Sequence, residues 1–193
     1  MIQEFVAKEI IKFGEFKLSS GAKSPYYVDM RAVLAYPDLL RWVIAKYAEL
    51  LKAIDFDIVV GVATGGIPYA AILGFSFFKP IAYVREEAKW YGTRKAIEGA
   101  MWQGARAVVI DDVVTTGESI ISAIRKVKEA GGNVEAAVVF LDRQQCGAAR
   151  IERETGVPVK AAYKILDLLK EIRDLIGPAR YLEVYNYVTS FKC

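Results

Sequence analysis

The sequence predicts an α/β fold, with a central, mostly parallel sheet flanked by helices. Three observations carry this. Short β-branched runs (IVVGVA at 58–63, IAYVR at 81–85, AVVID at 107–111, VEAAVVFLD at 134–142, VKAAYKI at 159–165) alternate with stretches of helical period. The runs are apolar at nearly every position, the pattern of strands buried on both faces. The first 35 residues break the alternation, which predicts a small N-terminal hood over the ligand edge of one domain spanning 1–193.

Along the chain, Ile2, Phe5, Val6, Ile10 and Phe13 recur at helical spacing and predict a first helix over 2–13. FGEFKLSSGAKSPYYVDMR, 13–31, is rich in turn formers and aromatics and reads as irregular structure with short strands. Pro37 opens a helix to about Ile54, with Leu40, Val43, Ile44, Tyr47, Leu50 and Leu51 as its buried stripe. The uncharged stretch from Ile58 to Phe78 is long enough to span a bilayer, but Thr64-Gly65-Gly66-Ile67-Pro68 interrupts it. It reads instead as a strand, a glycine loop and a helix over 67–77. A polar run follows the 81–85 strand as far as Gly104.

At Val108–Ile110 a strand ends in two adjacent carboxylates, Asp111 and Asp112. Thr115, Thr116, Gly117 and Ser119 follow at the mouth of a helix that buries Ile120, Ile121, Ile124 and Val127 and stops at Gly131-Gly132. A short helix near 147–155 and a last one over 166–177 complete the list. Ligands of such folds sit at the carboxyl ends of the strands. Asp111-Asp112, Gly61–Pro68, Arg85 onward and Asp142-Arg143 all fall there.

The apolar fraction, 54%, is ample for a core, and the net charge of +3 is small and dispersed, with no basic stripe for nucleic acid. No histidine is present, which excludes His-dependent triads and most zinc enzymes. The two cysteines, Cys146 and Cys193, are expected to form no disulfide framework, and they make no Cys-x-x-Cys, as suits a reducing cytoplasm. The N-terminus lacks the pattern of a signal peptide. Asparagine occurs only at 133 and 186, which fits a hot habitat.

Strand, acidic pair, hydroxyl-glycine turn and helix together make a site for an anion attached to a diol. Backbone N–H groups at the turn and helix N-terminus favour phosphate, and carboxylates accept from sugar hydroxyls or hold a hydrated Mg²⁺. No Gly-Lys-Ser/Thr follows, so this is not a Walker A loop.

This stretch, VVIDDVVTTGES, resembles the signature by which type I phosphoribosyltransferases bind 5-phosphoribosyl-1-pyrophosphate (PRPP). Three more stretches narrow the resemblance to the orotate phosphoribosyltransferases: FGEFKLSSGAKSPYYVDMR, REEAKWYGTRKAIEG (85–99) and LDRQQCG (141–147). The resemblance implies the type I phosphoribosyltransferase fold and transfer of phosphoribosyl from PRPP to orotate, giving orotidine 5'-monophosphate and pyrophosphate in pyrimidine biosynthesis. It implies that Thr64, Gly65, Gly66, Asp111, Asp112, Val113, Val114, Thr115, Thr116, Gly117, Glu118 and Ser119 bind PRPP. Lys23, Ser24, Tyr26, Tyr27, Thr115 and Arg143 would bind orotate, with the tyrosines as a wall, Arg143 as a fork for the carboxylate and Lys23 or Ser24 beside it. Arg85, Lys89, Tyr91, Asp111 and Asp112 would be catalytic. Mg²⁺ would be held mainly by PRPP, and through water by Asp111 and Asp112. A homodimer is implied, with the 85–99 loop reaching the neighbouring site. A cis peptide at Ala63-Thr64 is expected from the superfamily.

The sequence departs from the family in three places. Tyr91 stands where histidine is common, Glu86 reverses a charge usually supplied by lysine, and no lysine lies near Gly65. Arg94 or Lys95 would compensate for Glu86. The competing readings are a purine or xanthine phosphoribosyltransferase, which needs neither Ser-Pro-Tyr-Tyr nor Arg143, and a non-catalytic PRPP-sensing regulator.

Overall fold

The computed structural model describes residues 1–17, 21, 23–85 and 96–193. Its elements are α1 (Ile2–Ala7), β1 (Ile11–Lys17), β2 (Lys23–Val28), a 3-10 turn (Met30–Ala35), α2 (Pro37–Leu51), β3 (Ile58–Val62), α3 (Gly66–Ser76), β4 (Ile81–Val84), β5 (Ile97–Gly99), β6 (Arg106–Val114), α4 (Glu118–Glu129), β7 (Asn133–Asp142), α5 (Gly147–Thr155), β8 (Val159–Lys164), α6 (Ile165–Glu171), α7 (Arg173–Ile176) and α8 (Pro178–Thr189). The main sheet runs β5-β4-β3-β6-β7-β8. Every pairing in it is parallel except β4 with β5. β1 and β2 form a separate antiparallel hairpin.

The expected α/β architecture is borne out, and its core explains the strand composition. Along β6, Val108 and Ile110 join a cluster with Phe5, Val43, Tyr47, Leu73, Phe140 and Leu168. Ala107 and Val109, facing the other way, join Ile121, Ile124, Val127 and Ile151. α1, α2, α3 and the C-terminal helices thus cover one face, while α4 and α5 cover the other. The run from Ile58 to Phe78 is strand, glycine turn and helix, as read. Among the described residues no helix is long and apolar enough to cross a membrane.

The structure corrects several expectations. The first helix ends at Ala7, not Phe13. Glu9 adopts φ 53°, the chain turns, and Ile11 onward pairs with β2. Cross-strand pairing there overrides a helical spacing of apolar residues. The polar run before Gly104 holds the short edge strand β5, held by three pairings to β4. The last predicted helix divides into α6 and α7, and a further helix, α8, follows Gly177 (φ 80°) and opens on Pro178. The acidic pair lies inside β6, not after it, because β7 keeps pairing as far as Val114 with Asp142.

The cysteines are also corrected. Cys146 and Cys193 form a disulfide across 47 residues of sequence. α8 packs Val184 and Val188 into the core and brings the C-terminus to the loop that precedes α5.

Candidate active site

The carboxyl ends of β3, β6 and β7 meet the β2 hairpin around a cleft of about 430 Å³, lined among others by Tyr27, Asp29, Arg31, Thr64, Gly65, Asp111, Asp112, Thr115, Ser119 and Arg143. Its neighbour, about 210 Å³, is walled by Asp111, Val113, Val114 and the turn Thr115–Ile120. A third space, about 240 Å³, lies between Ala63, Arg85, Glu118, Ser119, Ser122 and Lys126.

The acidic pair occupies the centre. Asp111 is buried, and its Oδ1 accepts from the Asp112 N–H at 3.0 Å. The Asp112 Oδ1 accepts from the Val113 N–H at 2.8 Å. Burial pushes the Asp111 carboxyl well up, and the neighbouring Asp112 charge adds to the rise. Asp112 is raised too, chiefly by burial, while the Arg31 guanidinium pulls it the other way. Below the pair, the Tyr47 hydroxyl donates to the Asp111 carbonyl at 2.7 Å, which fixes the strand that carries the site.

The loop before α3 is pressed onto this strand. A methyl group on Gly66 would come within 2.2 Å of the Ile110 carbonyl oxygen, and one on Gly65 within 2.5 Å of an Asp112 carboxylate oxygen. These glycines, which the resemblance assigns to PRPP, make room for β6. The Ala63-Thr64 peptide is cis, as expected.

At α4, Gly117 takes φ 81° and no side chain caps the helix. The N–H groups of the first turn thus stay available to an anion.

Arg143 is the hub of the other wall. It is 6% exposed. Its Nε donates to the Tyr26 hydroxyl at 3.1 Å, its Nη2 to the Ser24 hydroxyl at 3.2 Å, and its guanidinium lies 4.5 Å from the Tyr26 ring centroid. Ser24 in turn donates to the Tyr26 carbonyl at 2.7 Å. One edge of the guanidinium is therefore fixed by the hairpin, and among the described residues Nη1 has no partner. The Nη1–Nη2 edge remains for a planar carboxylate. Tyr26 is fully buried under Arg143, with Tyr187 edge-on to it at 6.2 Å. Burial raises its hydroxyl pKa, partly offset by Arg143. Only Tyr27 of the pair lines the cleft. The Lys23 ammonium is 82% exposed and faces Glu15 at 3.5 Å.

The structure thus brings together Ser24, Tyr26, Tyr27, Thr64, Gly65, Asp111, Asp112, the 113–119 turn and Arg143, and leaves Lys23 outside. Arg85 pairs with Glu98 at 3.5 Å at the edge of the third space. Glu86, Lys89, Tyr91, Arg94 and Lys95 lie outside the described residues, as do Leu18–Ser20. Sequence reading assigned no role to Arg31, Tyr47 or Tyr69. Arg31 lines the cleft, held by Asp29 at 2.7 Å and the Tyr27 hydroxyl at 3.2 Å. Tyr69 donates to the Met30 carbonyl at 2.6 Å, tying α3 to the chain beyond the hairpin. Arg31 closes the quoted Ser-Pro-Tyr-Tyr-x-Asp-x-Arg order and was legible. Tyr47 reads from the sequence only as core, and no motif singles out Tyr69.

Comparison with known proteins agrees with this geometry. The family model for the phosphoribosyl transferase domain matches residues 31–157, and the chain belongs to that family. Over all 193 residues it is 53% identical to an orotate phosphoribosyltransferase of Pyrobaculum aerophilum, with 100% of both chains covered. A solved orotate phosphoribosyltransferase from Aeropyrum pernix superposes with a TM-score of 0.83 at 33% identity, covering 92% of this chain and 99% of that one. UMP synthase of Leishmania donovani superposes at 0.89 with 31% identity, and the chain spans 98% of its own length but only 42% of that protein. Within the family, the chain is one of the orotate phosphoribosyltransferases.

Proposed function

We propose that this chain transfers the phosphoribosyl group of PRPP to orotate with the residues gathered in the cleft. The observation that carries the assignment is Arg143. Its guanidinium is locked by Ser24 and Tyr26 beside the acidic pair and the uncapped turn of α4. A phosphoribosyl donor needs the last two features, and a planar, carboxylate-bearing base needs the first.

In this reading the N–H groups of Thr115–Ser119 bind the 5'-phosphate, with Val113 and Val114 leading into the turn. Asp111 and Asp112 accept from the ribose hydroxyls. Thr64, Gly65 and Gly66 present backbone N–H groups to the pyrophosphate, and Arg85 adds a cation. Arg143 takes the orotate carboxylate while Tyr27 and Thr115 border the ring. A ring nitrogen of orotate bonds to the anomeric carbon as the carbon–oxygen bond to pyrophosphate breaks, and the proton that this nitrogen carried is released to solvent. The enzyme's part is to hold the partners in line and to stabilise the departing charge. Lys89 and Tyr91 belong to the same proposal, acting from the 85–99 loop.

The donor set fits a magnesium ion held chiefly by PRPP. Among the described residues no group of three ligating side chains exists, and one buried and one half-buried carboxylate suit a hydrated ion contacted through water. When bound, Mg²⁺ draws negative charge from the leaving pyrophosphate.

We further propose one catalytic domain, 1–193, with residues 1–35 as a hood, assembled as a homodimer in which the 85–99 loop serves the neighbouring site. α3 supports this assembly, since Phe75 is 79% and Phe78 93% exposed at its end. A cytoplasmic location is compatible with the disulfide, because intracellular disulfides persist in proteins from very hot habitats.

The test follows orotate absorbance as nucleotide forms. A fall that needs protein, PRPP and Mg²⁺ together is expected. No change with orotate, but turnover with hypoxanthine or xanthine, would move the chain to the purine enzymes.

A further inference from the structure

The turn that faces the donor's phosphate carries an acid. Glu118 is the first residue of α4 and lines both the 210 and the 240 Å³ spaces. A carboxylate beside an anion subsite opposes the binding that the helix N-terminus favours. The structure contains an answer to it on α5. Arg150 Nη2 lies 2.8 Å from the Glu118 carboxylate, its Nε donates to Glu154 at 2.7 Å, and its Nη1 reaches the Thr116 carbonyl at 3.4 Å. Glu154 also holds Arg125 of α4 at 3.0 Å. Arg150 therefore touches the phosphate turn at a side chain and at the backbone, with its own position set from behind.

The backbone beneath agrees. A methyl group on Gly147, first residue of α5, would meet the Thr115 carbonyl oxygen at 2.4 Å, and one on Gly117 would meet the Gly147 carbonyl oxygen at 2.8 Å. The turn rests directly on the start of α5, so a residue one turn along that helix can govern its charge and shape.

We infer that Arg150 is a positioning residue for PRPP: it neutralises Glu118, turns that carboxylate from the phosphate and fixes the Thr116 peptide. This rests on the reading of Thr115–Ser119 as the 5'-phosphate subsite. A planar fork is suited to this role because it contacts two carboxylates and a carbonyl at once.

The experiment is steady-state kinetics on the full-length enzyme. Arg150→Met is expected to raise KM for PRPP about 10-fold, with kcat and the KM for orotate within about twofold. Arg150→Lys keeps the charge without the fork and should recover part of the loss. Adding Glu118→Gln to Arg150→Met should bring KM for PRPP back to within about threefold of the parent, because the unneutralised acid is gone. An unchanged KM for PRPP in Arg150→Met overturns the inference. So does a fall in kcat and melting temperature alone, or a double variant no better than the single. If Arg150→Met does not fold, Arg150→Lys with and without Glu118→Gln decides by the same criterion. Ser119→Asp, which puts a new carboxylate where the turn lines the cleft, is the control. If it too leaves KM for PRPP unchanged, the subsite reading is at fault; if it raises KM and Arg150→Met does not, only the role of Arg150 falls.

Discussion

Asp111 illustrates a residue whose burial opposes stability while the proposed function needs its charge. Its carboxyl pKa is raised by burial and by Asp112. A raised native pKa means that its contribution to stability is full below the unfolded value of about 4 and is lost as pH rises through the native value. Asp111→Asn should therefore melt no lower than the parent, and its advantage should grow from acid towards neutral pH. Its kcat should fall about 100-fold or more, the scale for removing one group that stabilises a developing charge. Paired melting curves and rates across pH check this; a variant that melts lower at neutral pH would contradict it. Arg143→Met is expected to raise KM for orotate about 10–100-fold, the worth of a charged hydrogen bond, with KM for PRPP little changed. The ion pair of Asp57 with Arg106, at 2.7 Å, works in the opposite sense. Hydrogen bonds from Arg106 hold the Asp57 carboxyl below its usual range, so that contribution is present at neutral pH and lost in acid.

Between elements, contact distances decide which substitutions are tolerated. Gly66→Ala places a methyl group 2.2 Å from a backbone oxygen of β6, which a rotamer change cannot relieve. A loss of about 1–3 kcal/mol is expected by denaturant titration, the range for overpacking, together with weaker PRPP binding as the Thr64–Gly65 loop shifts. The disulfide joins the C-terminal residue, four positions beyond α8, to the loop that follows Arg143 across 47 residues of sequence. Closing such a loop is worth about 4 kcal/mol in the chain-entropy account. Cys193→Ser should thus lower the melting temperature by roughly 10 °C, at 2–4 °C per kcal/mol. An unchanged melting temperature would show that α8 is held by its apolar face alone.

For the whole molecule, one aromatic cluster ties the sheet to its helices. Phe140 stacks on Phe5 at 5.5 Å and meets Tyr163 at 5.5 Å, Trp42 at 5.9 Å and Tyr47 at 6.2 Å. Phe140→Ala should cost about 3–5 kcal/mol, the range for deleting a buried aromatic ring. Because Tyr47 also carries the Asp111 carbonyl, the variant should lose activity before it unfolds. The proposed dimer is tested at the same scale. Phe78→Glu puts a charge on the exposed end of α3 and should shift sedimentation towards monomer, with a parallel loss of turnover.

Much of this was legible in the chain because it is local. Strand composition, the glycine turn, Pro37 and the helix stop at Gly131-Gly132 follow from residue chemistry within a few positions. The order of residues at 108–119 and 141–147 pointed to the chemistry. Where the sequence misled, a distant partner intervened. Residues 11–13 continue the helical spacing of the first ten, yet β2 takes them as a strand. The cysteines look unrelated until α8 folds back. Arg143 reaches Tyr26 and Ser24 across 117 and 119 residues, and Tyr47 reaches Asp111 across 64. By itself the sequence determined the alternating strands and helices, the glycine turn after the acidic pair and the identity of the charged groups. Only the tertiary structure decided which side of Arg143 is spent, what Gly65 and Gly66 make room for, and that Arg150 stands behind Glu118. Such pairings depend on where separate elements cross in space, and residue period and spacing do not record that.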